Sequence, residues 1–126
     1  MNVSYKEMKL TLKTSPTPIN RRYGVYRGRM ILSEEYRNTK EALGYEIKSQ
    51  VAATGLTEPL KGMLSVTITQ YFGNKRKNDI DSGIKILLDS MTGVVYEDDS
   101  LVTELHVYKK YEKGNARVDI EITEIL

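Results

Sequence analysis

The sequence has no cysteine and a single histidine, His106. Disulfides, thiolate zinc sites, a cysteine nucleophile and histidine-based metal clusters are thereby excluded, so a bound metal would have to use oxygen ligands. No run of about 18 apolar residues is present, and Met1 to Asn20 holds no hydrophobic signal core. The expectation is a soluble, cytoplasmic protein with no membrane partner. Internal repeats and low-complexity tracts are also lacking. At 126 residues the chain is long enough for one real core and short for two, so a single domain over 1–126 with one principal site is expected.

What is present is charge, unevenly placed. The formal net charge is only +2. Yet residues 1–30 carry Lys6, Lys9, Lys13, Arg21, Arg22, Arg27 and Arg29 against Glu7 alone, and residues 79–104 carry Asp79, Asp81, Asp89, Glu97, Asp98, Asp99 and Glu104 against Lys85 alone. Such separation suggests a basic surface for a polyanion and a compact acidic site for a cation.

Apolar periodicity gives the element order. Lys6 to Lys13 reads as a short strand stopped by the prolines of Ser15–Pro18. INRRYGVYRGRMIL, residues 19–32, reads as a loop or irregular hairpin. Ser33 followed by Glu34 and Glu35 is a helix start, and Tyr36, Leu43, Ile47 and Val51 continue at helical spacing to about Ala53, before Gly55. Met63 to Phe72 alternates as a half-buried strand. Ile84, Leu87, Leu88 and Met91 have the spacing of a buried helix face, with Gly93 at the position of a C-cap glycine. Leu101 to Tyr111 is a strand, and Lys113-Gly114-Asn115 the turn into a last strand, Arg117 to Ile125. The order predicts an α+β domain: a mixed sheet of about four strands packed with two main helices.

The acids fall where chemistry is possible. Asn78–Asp81, between the strand ending near Phe72 and a helix beginning near Ser82, is expected to be extended, so that Asp79 and Asp81 share one face while Ile80 anchors the other in the core. Paired carboxylates repel unless a cation lies between them, and Mg²⁺ suits them because it accepts one or two carboxylates and keeps positions for water and phosphate oxygens. Asp98 and Asp99 precede the strand near Leu101. If that strand lies beside the one ending at Phe72, it brings one of the two to Asp79 and Asp81 as a ligand. Aspartates in such pairs also serve as turn and cap residues. Lys85, four residues after Asp81, is placed either to contact the scissile phosphate and leaving oxygen or to pair with Asp81 or Asp89; of these roles, Asp89 suits that pair better than metal ligation.

Lys75, Arg76 and Lys77, with Arg21, Arg22, Arg27 and Arg29, supply an anion-binding half, and Tyr23 and Tyr26 suit base stacking. A solvated loop is the alternative for these cations. His106 lies within a strand pattern away from the acids and reads as a structural or surface residue.

The order Asp79-x-Asp81, Lys85 and Asp98-Asp99 within DID…K…LLDSMTGVVYEDDS is similar to the signature of the RusA-type Holliday junction resolvases. SPTPINRRY and the following RGR…S resemble that family's N-terminal region, and together the matches cover most of the chain. Ser82 stands where many members carry asparagine, and Asn78 where a basic residue is common. The resemblance implies a homodimer that cuts four-way junction DNA by Mg²⁺-dependent hydrolysis of two symmetric phosphodiesters, with Mn²⁺ able to substitute and no organic cofactor. Asp79, Asp81 and Asp99 would be the essential metal-holding acids, Asp98 their close neighbour, and Lys85 the required basic residue. Two other readings stay open: a non-catalytic junction-binding module, and a metal-dependent nuclease or phosphatase for another substrate such as flaps or single strands.

Overall fold

The computed structural model describes residues 7–16, 23–75 and 78–125. In chain order its elements are β1 (Glu7–Leu12), β2 (Tyr23–Tyr26), β3 (Arg29–Leu32), α1 (Glu34–Ala53), β4 (Leu64–Phe72), α2 (Ile84–Met91), β5 (Val102–Tyr111) and β6 (Arg117–Glu124), with a 3-10 turn at Asp99–Leu101. One mixed sheet runs β1-β6-β4-β5, in which β4 and β5 are parallel and the other neighbours antiparallel. The result is the α+β architecture that the apolar periodicity predicts.

Alternation in β1, β6 and β4 makes the core. Leu10 and Ile68 both lie opposite Ile120, and Met8 and Val66 both lie opposite Ile122, so these residues form two buried rows across β1, β6 and β4. Side chains one position along point to the other face. Both helices cover the apolar rows: α1 with Tyr36, Leu43, Ile47 and Val51, and α2 with Ile84, Ile86, Leu87 and Met91, all buried. The Ser33 side chain caps α1 by accepting from the Tyr36 N–H at 3.0 Å, satisfying a backbone donor that no helical carbonyl can reach. No helix among the described residues is long and apolar enough to cross a membrane.

The two sheet edges differ. β1 is closed by α1: Gln50 accepts from the Thr11 N–H at 2.8 Å and donates to the Thr11 carbonyl at 2.7 Å, and Glu46 accepts from the N–H groups of Lys13 and Thr14. These side chains occupy backbone groups that would otherwise template another strand. β5 is the opposite edge strand.

Two sequence readings need refinement. The segment read as a loop or irregular hairpin is, from Tyr23 onward, a regular two-stranded hairpin, β2–β3. The turn at Lys113–Asn115 joins strands that are not paired with each other, because β4 lies between them. The connection crosses the end of β4, where the Glu112 N–H donates to the Phe72 carbonyl at 2.9 Å. Lys6, Thr17, Pro18, Arg21, Arg22, Arg76 and Lys77 lie outside the described residues.

Candidate active site

Asp79 and Asp81 follow the end of β4, in a segment tied down by three contacts. Gln70, a β4 residue only 4% exposed, donates from Nε2 to the Ser82 carbonyl at 2.9 Å. Lys109 of β5 donates from Nζ to the Asn78 carbonyl at 2.7 Å. Gly83, at φ +83°, closes the segment against Pro16. Within it the Ser82 N–H donates to the Asp79 carbonyl at 3.1 Å and the Ile84 N–H to the Asp81 carbonyl at 3.3 Å. The backbone is therefore turned, not extended. The expectation that Ile80 anchors in the core fails: Ile80 is 50% exposed, and Asp79 and Asp81 on either side of it are exposed as well. Successive turns replace the period of two with a tighter one, and Gly83, in the left-handed region, admits the chain to α2 two residues later than expected.

Lys85 lies on the first turn of α2 with Nζ 3.2 Å from Asp89 Oδ1. Asp89 Oδ2 in turn accepts from the Tyr36 hydroxyl at 2.7 Å. Burial pushes the Asp89 carboxyl up, but the hydrogen bonds from Tyr36 and Lys85 and the charges of Lys85 and Lys40 outweigh it, leaving the group below the usual aspartate value. Asp89 is thus the partner of Lys85, one of the two roles read from the spacing.

Asp98 and Asp99 stand just ahead of β5. Asp98 caps the 3-10 turn by accepting from the Ser100 N–H at 3.0 Å, and hydrogen bonding to Ser100 holds its carboxyl below the usual value. Asp99 is half-buried near Tyr96, whose buried hydroxyl donates to the Leu88 carbonyl at 2.7 Å. Burial, with the nearby charges of Asp99, Asp89 and Asp98, pushes the Tyr96 hydroxyl well up.

β5 does lie beside β4, as the sequence suggested, but parallel to it: Leu64 is opposite Val102 and Phe72 opposite Tyr111. Asp98 and Asp99 therefore precede the sheet end at which β4 begins, whereas Asp79 and Asp81 follow the end at which it finishes. Between them runs α2, whose eight residues span about 12 Å. Among the described residues no three acidic or histidine side chains converge closely enough to hold a metal ion. By donor type the four aspartates suit a hard divalent cation, and among the described residues Asp79 and Asp81 have no ion-pair partner.

Cations do gather at the Asp79–Asp81 end. Lys75 is exposed, with Nζ 5.4 Å above the Tyr111 ring, and Lys110 lies 6.0 Å over Tyr71. Lys109 and Lys110 escaped the sequence reading, since only the parallel register of β5 carries them there. A cavity of about 450 Å³ adjoins this end, lined by Lys13, Gln70, Asn78, Ser82 and Arg117 among others. Arg27 and Arg29 are exposed on the β2–β3 hairpin. His106 is an exposed strand residue 3.8 Å from Glu104, a surface position as expected.

Free hard-oxygen donors beside lysines at one sheet end, on a small α+β frame, define a domain equipped to meet a phosphate polyanion. The chain matches the family model described as endodeoxyribonuclease RusA over residues 13–123, and it belongs to that family of endonucleases. A crossover junction endodeoxyribonuclease RusA from Aquifex aeolicus (strain VF5) is 33% identical over 120 residues, covering 93% of this chain and 91% of the relative. Proteins of the same name from Escherichia coli (strain K12) and Enterobacteria phage 82 are each 28% identical over 111 residues, covering 87% of this chain and 89% of the relative.

Proposed function

We propose that this protein is a Mg²⁺-dependent, structure-selective endodeoxyribonuclease that resolves four-way DNA junctions by paired symmetric nicks. Membership of the RusA family carries this reading, supported by relatives named for crossover junctions that cover nearly the whole chain. Residues 1–126 act as one domain, in the cytoplasm, as a homodimer. A four-way junction is approximately two-fold symmetric, so a two-fold pair of sites can address two opposed strands in one encounter.

Asp79, Asp81 and Asp99, with Asp98 beside them, are the carboxylates that hold the ion. Mg²⁺, or Mn²⁺ in its place, would supply Lewis acidity toward the phosphate and a more acidic water when held by these carboxylates. Carboxylates drawn together in this way repel one another unless a cation neutralises them, so occupancy and assembly of the four aspartates are coupled. Lys85 presents its ammonium to charge developing on the leaving oxygen. Lys75, Arg76 and Lys77, with Arg21, Arg22, Arg27 and Arg29, hold phosphates and place the scissile bond over the acids.

A second reading is a junction-binding module whose aspartates are turn and cap residues. The hydrogen bond that Asp98 accepts from Ser100, and the separation of the two aspartate pairs along β4 and β5, favour it. Incubating labelled four-way junction, flap and linear duplex with the protein in Mg²⁺, Mn²⁺ or EDTA separates the readings. Cleavage of the junction alone, with either metal and not in EDTA, is expected; tight junction binding with no cut in either metal would establish the binding module.

A further inference from the structure

The β2–β3 hairpin stands out from the core. Opposed residues share a face, so Tyr23, Val25, Met30 and Leu32 line one side, and Tyr26, Arg29 and Ile31 the other. Leu32 packs against the core and anchors the base. Farther out, Val25 is 78% and Met30 73% exposed. The tip, Arg27-Gly28, has positive φ at both residues, the geometry of the tight two-residue turn that matches strand twist. Arg27 lies 5.2 Å over the Tyr26 ring. No acidic residue occurs between Tyr23 and Leu32. The projection therefore has an apolar, uncharged face, a second face that carries Tyr26 and Arg29, and a positive tip.

A two-stranded hairpin is marginally stable in water without something to pack against. A second copy of the chain is one candidate, but an isologous contact would set Arg27 and Arg29 against themselves with no acid of the hairpin to offset them. DNA offers both what the tip attracts, phosphate, and what the flank lacks, the apolar faces of bases.

Resting on the junction-resolving reading above, we propose that the β2–β3 hairpin is a wedge that enters the branch point. Val25 and Met30 slide between base pairs at the crossover in place of a stacked neighbour, Tyr26 stacks on an exposed base, and Arg27 and Arg29 hold the flanking phosphates. Base pairs at a branch point have already lost continuous stacking on one side. The same insertion into linear duplex must first break a stack, so the wedge favours the junction over the duplex.

The test uses a four-way junction with 2-aminopurine beside the branch point, mixed in EDTA with protein carrying Asp81→Asn so that no cutting intervenes. Saturating protein is expected to raise the fluorescence several-fold as the base unstacks. Adding Val25→Thr and Met30→Thr, which place strand-compatible β-branched side chains at exposed positions, is expected to abolish the rise while junction binding persists; Val25→Ile with Met30→Leu is expected to retain it. A rise that survives the threonine pair, or no rise despite tight binding by the parent, overturns the wedge and leaves the junction reading standing. Absence of junction binding overturns both. A shift from dimer to monomer in the threonine pair, seen by sedimentation with the fluorescence rise intact, would assign the hairpin to a second copy instead.

Discussion

Gly83 and Gly44 make a matched pair on which the account of the Asp79–Asp81 segment can be tried. An alanine at Gly83 would adopt φ +83° and place its Cβ 2.7 Å from the Pro16 Cβ, closer than real Cβ contacts come. The left-handed conformation costs a non-glycine residue about 1–2 kcal/mol. Pro16 is a rigid ring that cannot swing aside, so relieving the contact moves backbone, an overpacking cost of about 1–3 kcal/mol. Gly83→Ala should therefore destabilise by about 2–5 kcal/mol. Gly44 lies inside α1, and a Cβ built there meets nothing within 4 Å. Gly44→Ala should stabilise by about 0.5–1 kcal/mol, because alanine loses less backbone entropy in a helix. Urea unfolding of both variants measures the difference. Junction cleavage should fall in Gly83→Ala under folding conditions, since Gly83 leads the Asp79–Asp81 turn into α2. A Gly83→Ala protein within about 0.5 kcal/mol of the parent, the scatter of an ordinary surface substitution, would refute the close approach to Pro16.

Tyr36→Phe removes the hydrogen bond to Asp89 and should cost about 1.5–3 kcal/mol at neutral pH, as expected for a bond to a charged group. Because the folded-state pKa of Asp89 is depressed, that stability is present above the ordinary aspartate value of 3.8 and is lost as pH falls through the lower folded value. The gap between Tyr36→Phe and the parent should therefore narrow in acid; an undiminished gap at low pH would detach it from Asp89 ionisation. Lys85→Met should lower the single-turnover cleavage rate about 10²-fold with junction affinity unchanged, the loss seen when one stabilising donor is removed from a reacting oxygen. Its effect on stability should stay under about 1 kcal/mol, because the ammonium is partly solvated; a large stability loss with normal cleavage would assign Lys85 to structure. Ile68→Ala should cost about 2–5 kcal/mol in urea unfolding by opening a cavity in the row of Ile68, Ile120 and Leu10; a loss under 1 kcal/mol would mean that the row collapses to fill it.

Much of the fold was legible because local periodicity decides it. Tyr36, Leu43, Ile47 and Val51 mark a helix face, and Leu64, Val66 and Ile68 a strand, whatever surrounds them. Strand order was not legible, since β6 pairs with β4 and not with β5 through contacts between distant segments, and the Lys113–Asn115 turn carries the same residues in either arrangement. The hairpin was only half read: Arg27-Gly28 is a turn signal, but the glycine and arginine content masked the alternation around it. At the candidate site, residue types and spacing singled out the aspartates and Lys85, and the i, i+4 spacing foretold the pair with Asp89. The shape of the Asp79–Asp81 segment was misread. It depends on Gln70 and Lys109 reaching the carbonyls of Ser82 and Asn78, and no local pattern encodes those contacts.

The most direct measurement is single-turnover cleavage of a labelled four-way junction in Mg²⁺ by the parent protein and by Asp81→Asn, with junction affinity measured in parallel in EDTA. Paired symmetric nicks by the parent are expected, with a loss of about 10³-fold or more in the variant, as for removal of a group that acts in the transition state, and affinity retained. An Asp81→Asn protein that cuts the junction at the parent's rate would contradict the metal-holding role of Asp81.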